Sequence, residues 1–177
     1  MNNVRAFISV DIPENMQMEI VKIQENLPDF RGKLTETENL HLTLKFLGDI
    51  DEKTLSEVKK RLKEIDVHAF ETKISEIGVF SPEYLRIVWL KLDGCDKLQN
   101  AIDDSLSGIF EKEARFMSHL TIVRIKKIKG KERFLNQIKK IKIPDSLKFR
   151  IDSFRLKKST LTQKGPVYDT IEEYFLI

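Results

Sequence analysis

A chain of 177 residues that holds one cysteine, Cys95, cannot close an internal disulfide. No covalent staple frames the fold, and the thiol count agrees with a reducing compartment. Glycine is scarce too, at 7 residues. Neither a glycine-rich phosphate loop nor a dinucleotide-binding fingerprint occurs, so there is no sequence signal for an NTP or dinucleotide cofactor. No apolar run approaches the roughly 18 residues that cross a bilayer, and the N-terminus moves straight into a strand-like segment, so a cytoplasmic protein without membrane association is expected. Low-complexity segments and flexible linkers are missing. With 41% hydrophobic and 33% charged residues, what remains reads as one domain over residues 1–177, or two lobes sharing an interface, with a real core and a heavily charged surface. A monomer is expected.

Histidine is nearly as rare, at 3 residues, and two of them open the same tetrapeptide: His41-Leu42-Thr43-Leu44 and His119-Leu120-Thr121-Ile122. Apolar and polar residues alternate through each copy. That period of two predicts a strand with His and Thr on one face and the aliphatic residues on the other. A single such site is most simply a structural histidine. Two matches among three histidines arise by accident only on the order of a few times in ten thousand on average composition.

Along the chain, Val4 to Ile12 reads as a strand ending at Pro13, which opens a helix with Met16, Ile20, Ile23 and Leu27 at helical spacing. A short extended piece, Lys33 to Thr37, precedes the first motif strand, Leu40 to Leu47. Helix follows over roughly Glu52 to Ile65, then strands Ala69 to Phe80 and Tyr84 to Leu92, and a helix from about Lys97 to Phe110. The second motif strand is placed at Phe116 to Ile125 and a short basic helix at Lys131 to Ile138. Lys148 to Ser159 and Val167 to Ile177 close the chain as strands. The order suggests two related halves, each giving one motif strand to a shared cleft, in an α+β fold with antiparallel sheets.

The net charge of +3 conceals a concentration: Arg124 to Lys142 holds nine Lys or Arg against one acid, Glu132. A polyanion such as nucleic acid is one reading, and a solvated lysine-rich helix and strand the other.

Two imidazoles on one cleft suit concerted acid–base chemistry, one taking a proton while the other gives one, because both protonation states are available near neutral pH. The threonine hydroxyls, and Arg124, could bond the nonbridging oxygens of a phosphodiester held between them. Strict alternation from His119, however, would point Arg124 into the core unless the strand bulges, ends, or lets the side chain snorkel. Phe46, five residues beyond His41 as Arg124 is beyond His119, is expected in the core in preference to stacking on a base. No metal is required, although a site of His41, His119 and Asp11 is a minor alternative. Lys91-Leu92-Asp93-Gly94 matches a short lysyl-adenylate ligase signature but reads better as a strand running into a turn. His68 has no threonine partner and is placed at the surface or its boundary. The rival from another class is a binding module that only grips an RNA end. Two retained His and Thr pairs favour catalysis, since binding alone is better served by Arg or Lys.

The residues resemble the RNA 2′,3′-cyclic phosphodiesterases, also called 2′-5′ RNA ligases, of the two-histidine phosphoesterase superfamily. The resemblance rests on Phe7 through Pro13, Glu38 through Gly48, Phe116 through Arg124, Ser159-Thr160-Leu161-Thr162 and Gly165-Pro166-Val167-Tyr168. Ser118 stands where that family usually has proline, which would loosen the backbone presenting His119, and Val123 where it often has alanine. The resemblance implies a bilobal fold with a pseudo-twofold axis, two antiparallel sheets lining a central cleft and helices outside. It also implies opening of a terminal ribose 2′,3′-cyclic phosphate to a 2′-phosphate, without metal or cofactor, on RNA (tRNA fragments among the candidates) or small cyclic nucleotides. His41 would be the proton donor and His119 the proton acceptor, with Thr43 and Thr121 holding the phosphate. Joining of RNA ends through a 2′-5′ bond without ATP is a further activity of some members.

Overall fold

The computed structural model describes residues 3–177. Within them, nine strands and four α-helices follow one another as β1 (Val4–Asp11), α1 (Glu14–Glu25), β2 (Arg31–Leu34), β3 (His41–Ile50), α2 (Glu52–Leu62), β4 (Phe70–Val79), β5 (Ile87–Leu92), α3 (Asp96–Ser105), β6 (His119–Lys127), α4 (Lys131–Ile138), β7 (Lys148–Ile151), β8 (Ser153–Thr162) and β9 (Gly165–Phe175). They form two antiparallel sheets, of order β3-β1-β8-β9 and β2-β6-β5-β4-β7. The α+β class and the two antiparallel sheets agree with the sequence reading. Among the described residues no helix is long and apolar enough to cross a membrane.

The sheets are not the two halves of the sequence. β2 crosses from the first half to pair with β6, while β8 and β9 return from the C-terminal end to pair with β1. The expected strand Lys148 to Ser159 is two strands, β7 and β8, in different sheets. Its apolar parity changes at Asp152: Phe149 and Ile151 are buried before it, Phe154 and Leu156 after it. A change of parity turns the buried face over, and here the chain leaves one sheet for the other.

The helices cross over as well. α1, which joins β1 to β2, packs on β6, and α3, which joins β5 to β6, packs on β3. Each motif strand is thus backed by the helix of the other half, with β3 and β6 against each other. Two buried polar contacts fasten this exchange. Gln24 of α1 donates its amide to the backbone carbonyl of Ile122 at 2.9 Å. Lys45 of β3 donates to Asp103 of α3 at 2.5 Å and to the Glu111 carbonyl at 2.7 Å. The Asp103 carboxylate also accepts from Gln99 and from the backbone N–H of Glu113, both at 2.9 Å. Burial alone would raise the Asp103 pKa, but these three donors hold it below the ordinary carboxylate value.

Candidate active site

The two motif strands have the same burial sequence over nine positions, from His41 to Asp49 and from His119 to Lys127. Both contain a bulge at the same place. Ile8 pairs with Lys45 and Ser9 with Thr43, so Leu44 is extra; Val88 pairs with Val123 and Trp89 with Thr121, so Ile122 is extra. One inserted residue reverses the parity of everything beyond it. The fifth residue after each histidine therefore returns to the histidine's face. Arg124 is exposed on the cleft and does not point into the core, and Phe46, expected in the core, is 68% exposed at the cleft rim. The bulged Ile122 carbonyl accepts from Gln24 and from the Thr35 N–H, so the ladder bond lost at the insertion is replaced.

His41, Thr43, Phe46, His119, Thr121 and Arg124 all line one cleft of about 510 Å³. The imidazoles are held alike. Nδ1 of His41 lies 2.7 Å from the Asn39 carbonyl, and Nδ1 of His119 lies 2.7 Å from the Met117 carbonyl, in each case two residues upstream. A carbonyl only accepts, so both Nδ1 atoms carry the proton and both Nε2 atoms remain for chemistry. Nε2 of His41 is 3.1 Å from the Thr43 hydroxyl, which donates to it when the ring is neutral.

The surroundings of the rings are aromatic. Phe7 and Tyr168 flank His41 with ring centroids 5.2 and 5.1 Å away, and Phe80 meets His119 edge-on at 4.7 Å. Burial is the main cause that lowers the His41 pKa to about 4, opposed by the bond to the Asn39 carbonyl and by Asp11, with Lys157 and Arg124 adding to the lowering. Burial also raises the Tyr168 hydroxyl pKa. Asp11 is not turned to the cleft as a metal ligand. Its carboxylate is taken by Arg155 and Lys157, and among the described residues no three His, Cys, Asp or Glu side chains gather as a metal-ligating set.

The remaining sequence expectations sort plainly. Lys91 is exposed, and Asp93-Gly94 forms the turn after β5, with Gly94 at φ 83° and the Asp93 carbonyl accepting from Thr72. His68 is exposed away from the cleft. Ser118 is buried, and its carbonyl accepts from the Leu92 N–H at 3.1 Å, which ties the backbone before His119 to β5. Sequence reasoning missed Tyr168, Lys33 and Phe116 in the cleft wall. Tyr168 was within reach as part of the Gly165–Tyr168 block. The anchoring carbonyls of Asn39 and Met117 have no side-chain signature at all.

The sequence pattern of the LigT like Phosphoesterase family matches residues 10–89 and 93–168. The chain belongs to that family. It is therefore an enzyme of phosphoester chemistry. It is 38% identical to the RNA 2′,3′-cyclic phosphodiesterase of Methanocaldococcus jannaschii over 97% of this chain and 100% of that protein. It is 32% identical to the protein of the same name from Methanothermobacter thermautotrophicus over 98% and 99%. The fold superposes on Escherichia coli LigT in apo form with a TM-score of 0.81 at 20% identity, covering 99% of both chains. It superposes on TT0787 of Thermus thermophilus with a TM-score of 0.80 at 24% identity, covering 97% of both.

Proposed function

We propose that this phosphoesterase opens a terminal ribose 2′,3′-cyclic phosphate on RNA to a 2′-phosphate, by acid–base catalysis between His41 and His119 and without a metal ion. The observation that carries this reading is the paired presentation of two Nε2 atoms toward one cleft, each set by a carbonyl behind it. The relatives bearing that activity in their names, aligned over almost the whole chain, support the choice of substrate.

In the reaction, Nε2 of His119 takes a proton from water, whose oxygen attacks phosphorus. The P–O3′ bond breaks, and Nε2–H of His41 delivers its proton to O3′. Thr121 and Arg124 bind the nonbridging oxygens as negative charge builds on them. His41 begins neutral at pH 7, which suits an acid poorly. An anionic phosphate beside Nε2 offsets the positive field of Arg124 and favours the imidazolium. Protonation also reverses the bond to Thr43: Nε2–H becomes the donor, and the threonine hydroxyl is released to donate to the phosphate. Phe46, exposed at the rim beside Phe7, offers a ring on which the terminal base stacks. A ribose hydroxyl replacing water would join two ends through a 2′-5′ bond with no ATP. Residues 1–177 act as one unit in this scheme, because each half supplies one histidine.

The test is cleavage of an oligoribonucleotide ending in a 2′,3′-cyclic phosphate in the presence of EDTA, with the product mapped. A 2′-phosphate end formed at undiminished rate supports the reading. A 3′-phosphate, or loss of turnover with the chelator, overturns it. Tight binding with no turnover would instead mark an RNA-end-binding module, the reading that the basic residues alone would favour.

A further inference from the structure

The nine cations of the Arg124–Lys142 stretch do not form one patch. Lys140 and Lys142 lie on a separate face, along a groove with Glu19 and Lys22 of α1. Arg124, Lys126 and Lys127 lie along β6, and the edge strand β2 completes a pattern with them. Lys33 pairs with Arg124, and both line the cleft. Two residues back along β2, Arg31 pairs with Lys127. A second bulge, which leaves Lys126 unpaired, keeps Lys127 on the face of Arg124 as Arg31 shares the face of Lys33. Two rungs of paired cations thus stand about 7 Å apart on one face, leading out of the cleft.

The outer rung opens into a second pocket of about 660 Å³, separate from the first. Arg31, Lys127, Lys129 and Arg133 line it against one carboxylate, Asp29, with the half-buried ring of Phe30 in its wall. Among the described residues none of these four cations has a carboxylate within salt-bridge distance. Cations without a carboxylate partner beside an aromatic ring, one rung beyond the cleft, are the pattern that tracks a single-stranded nucleic-acid backbone.

We infer that the nucleotides preceding the cyclic phosphate run from the cleft over the Lys33–Arg124 rung to the Arg31–Lys127 rung and into this second pocket, so that the protein acts on RNA strands in preference to mononucleotides. The inference rests on the proposed reaction and adds the path of the strand. A 2′,3′-cyclic phosphate is a 3′ end, so all remaining RNA lies on its 5′ side and leaves the cleft in one direction. A mononucleotide touches only the inner rung.

The experiment compares kcat/KM for a nucleoside 2′,3′-cyclic phosphate and for an oligoribonucleotide with the same end, in wild type and in the double variant R31E/K127E. Wild type should favour the oligonucleotide at least tenfold at low salt. The variant should lose tenfold to a hundredfold on the oligonucleotide, keep its mononucleotide rate within twofold, and show a salt slope shallower by roughly 1.4, two single-strand phosphate contacts. Equal losses on both substrates, or an unchanged oligonucleotide rate, would overturn the track. If wild type turns over neither substrate, the proposed reaction fails. Binding of the same oligonucleotide by fluorescence anisotropy then decides the track alone: a tenfold weakening in R31E/K127E upholds it, and unchanged affinity rejects it.

Discussion

His41 sits between Phe7 and Tyr168, and its pKa of about 4 follows mainly from that burial. The sign of the consequence is fixed by linkage. The unfolded chain binds a proton on this histidine near pH 6.5 and the folded protein does not until about pH 4, so stability falls as the pH drops between those values. The loss attributable to His41 reaches about 3 kcal/mol, less whatever solvent screening its partial exposure allows. Urea unfolding at pH 7 and pH 4.5 should show it, and His41→Gln should remove most of it; an equal acid loss in that variant would contradict the assignment. As the proton donor, the same group must be protonated to act, so it sets the alkaline limb of kcat/KM, which reports the free enzyme and should decline as the pH rises above about 4. In kcat the limb should move upward, because bound phosphate favours the imidazolium. A kcat/KM limb near 6.5 would show that His41 is not held neutral. At the rim, Phe46→Ala should raise KM for a cyclic-phosphate oligonucleotide by several-fold to a hundredfold, the range expected from about 1–3 kcal/mol of base stacking, with kcat little changed. The histidines and threonines were legible in the sequence because two rare residues recur in one pattern. Phe46 was not, because its exposure depends on a bulge.

Bulges are the element-scale device of this site. Strict alternation predicts the wrong face for both Phe46 and Arg124, yet the parity change is written in the apolar residues: Leu120 and Ile122 are followed by Val123 and Ile125, all buried. Leu42 and Leu44 are followed likewise by Leu47. What the sequence could not show is which segments would receive the displaced carbonyl, since Gln24 of α1 and Thr35 after β2 are distant along the chain. β2 is tied to β6 closely enough that a Cβ on Gly32 would lie 2.2 Å from the Arg124 carbonyl oxygen. Because the obstacle is backbone, Gly32→Ala cannot be relieved by a rotamer change. It should cost about 1–3 kcal/mol of stability and raise KM by withdrawing Lys33 from the cleft wall. Denaturant unfolding with steady-state kinetics checks both, and a variant indistinguishable from wild type would mean that β2 does not wall the site.

At the scale of the whole molecule, the exchange of helices is what makes two distant motifs one site. α1 backs β6 and α3 backs β3, so each motif strand is backed by a helix of the other half. The order of elements announced two related halves, but the exchange could not be read from periodicity, which reports that a face is buried and not against what. Lys45 within the first motif is the clearest case: a lysine in a strand reads as solvent-facing, whereas this one is 3% exposed and paired with Asp103. Asp103→Ala leaves that lysine buried without its anion and should destabilise by about 3–5 kcal/mol, as seen in urea unfolding. It should also slow turnover by loosening the Glu113 to Met117 segment that leads to His119, and a loss below about 1 kcal/mol would mean the pair is not holding the halves together. The account as a whole depends on both imidazoles serving one phosphorus centre. Turnover of a 2′,3′-cyclic phosphate by His41→Ala and by His119→Ala, each checked for an unchanged melting profile at pH 7.5, tests this most directly. Each variant should lose at least about a hundredfold in kcat, and wild-type turnover in either one would contradict the two-histidine site.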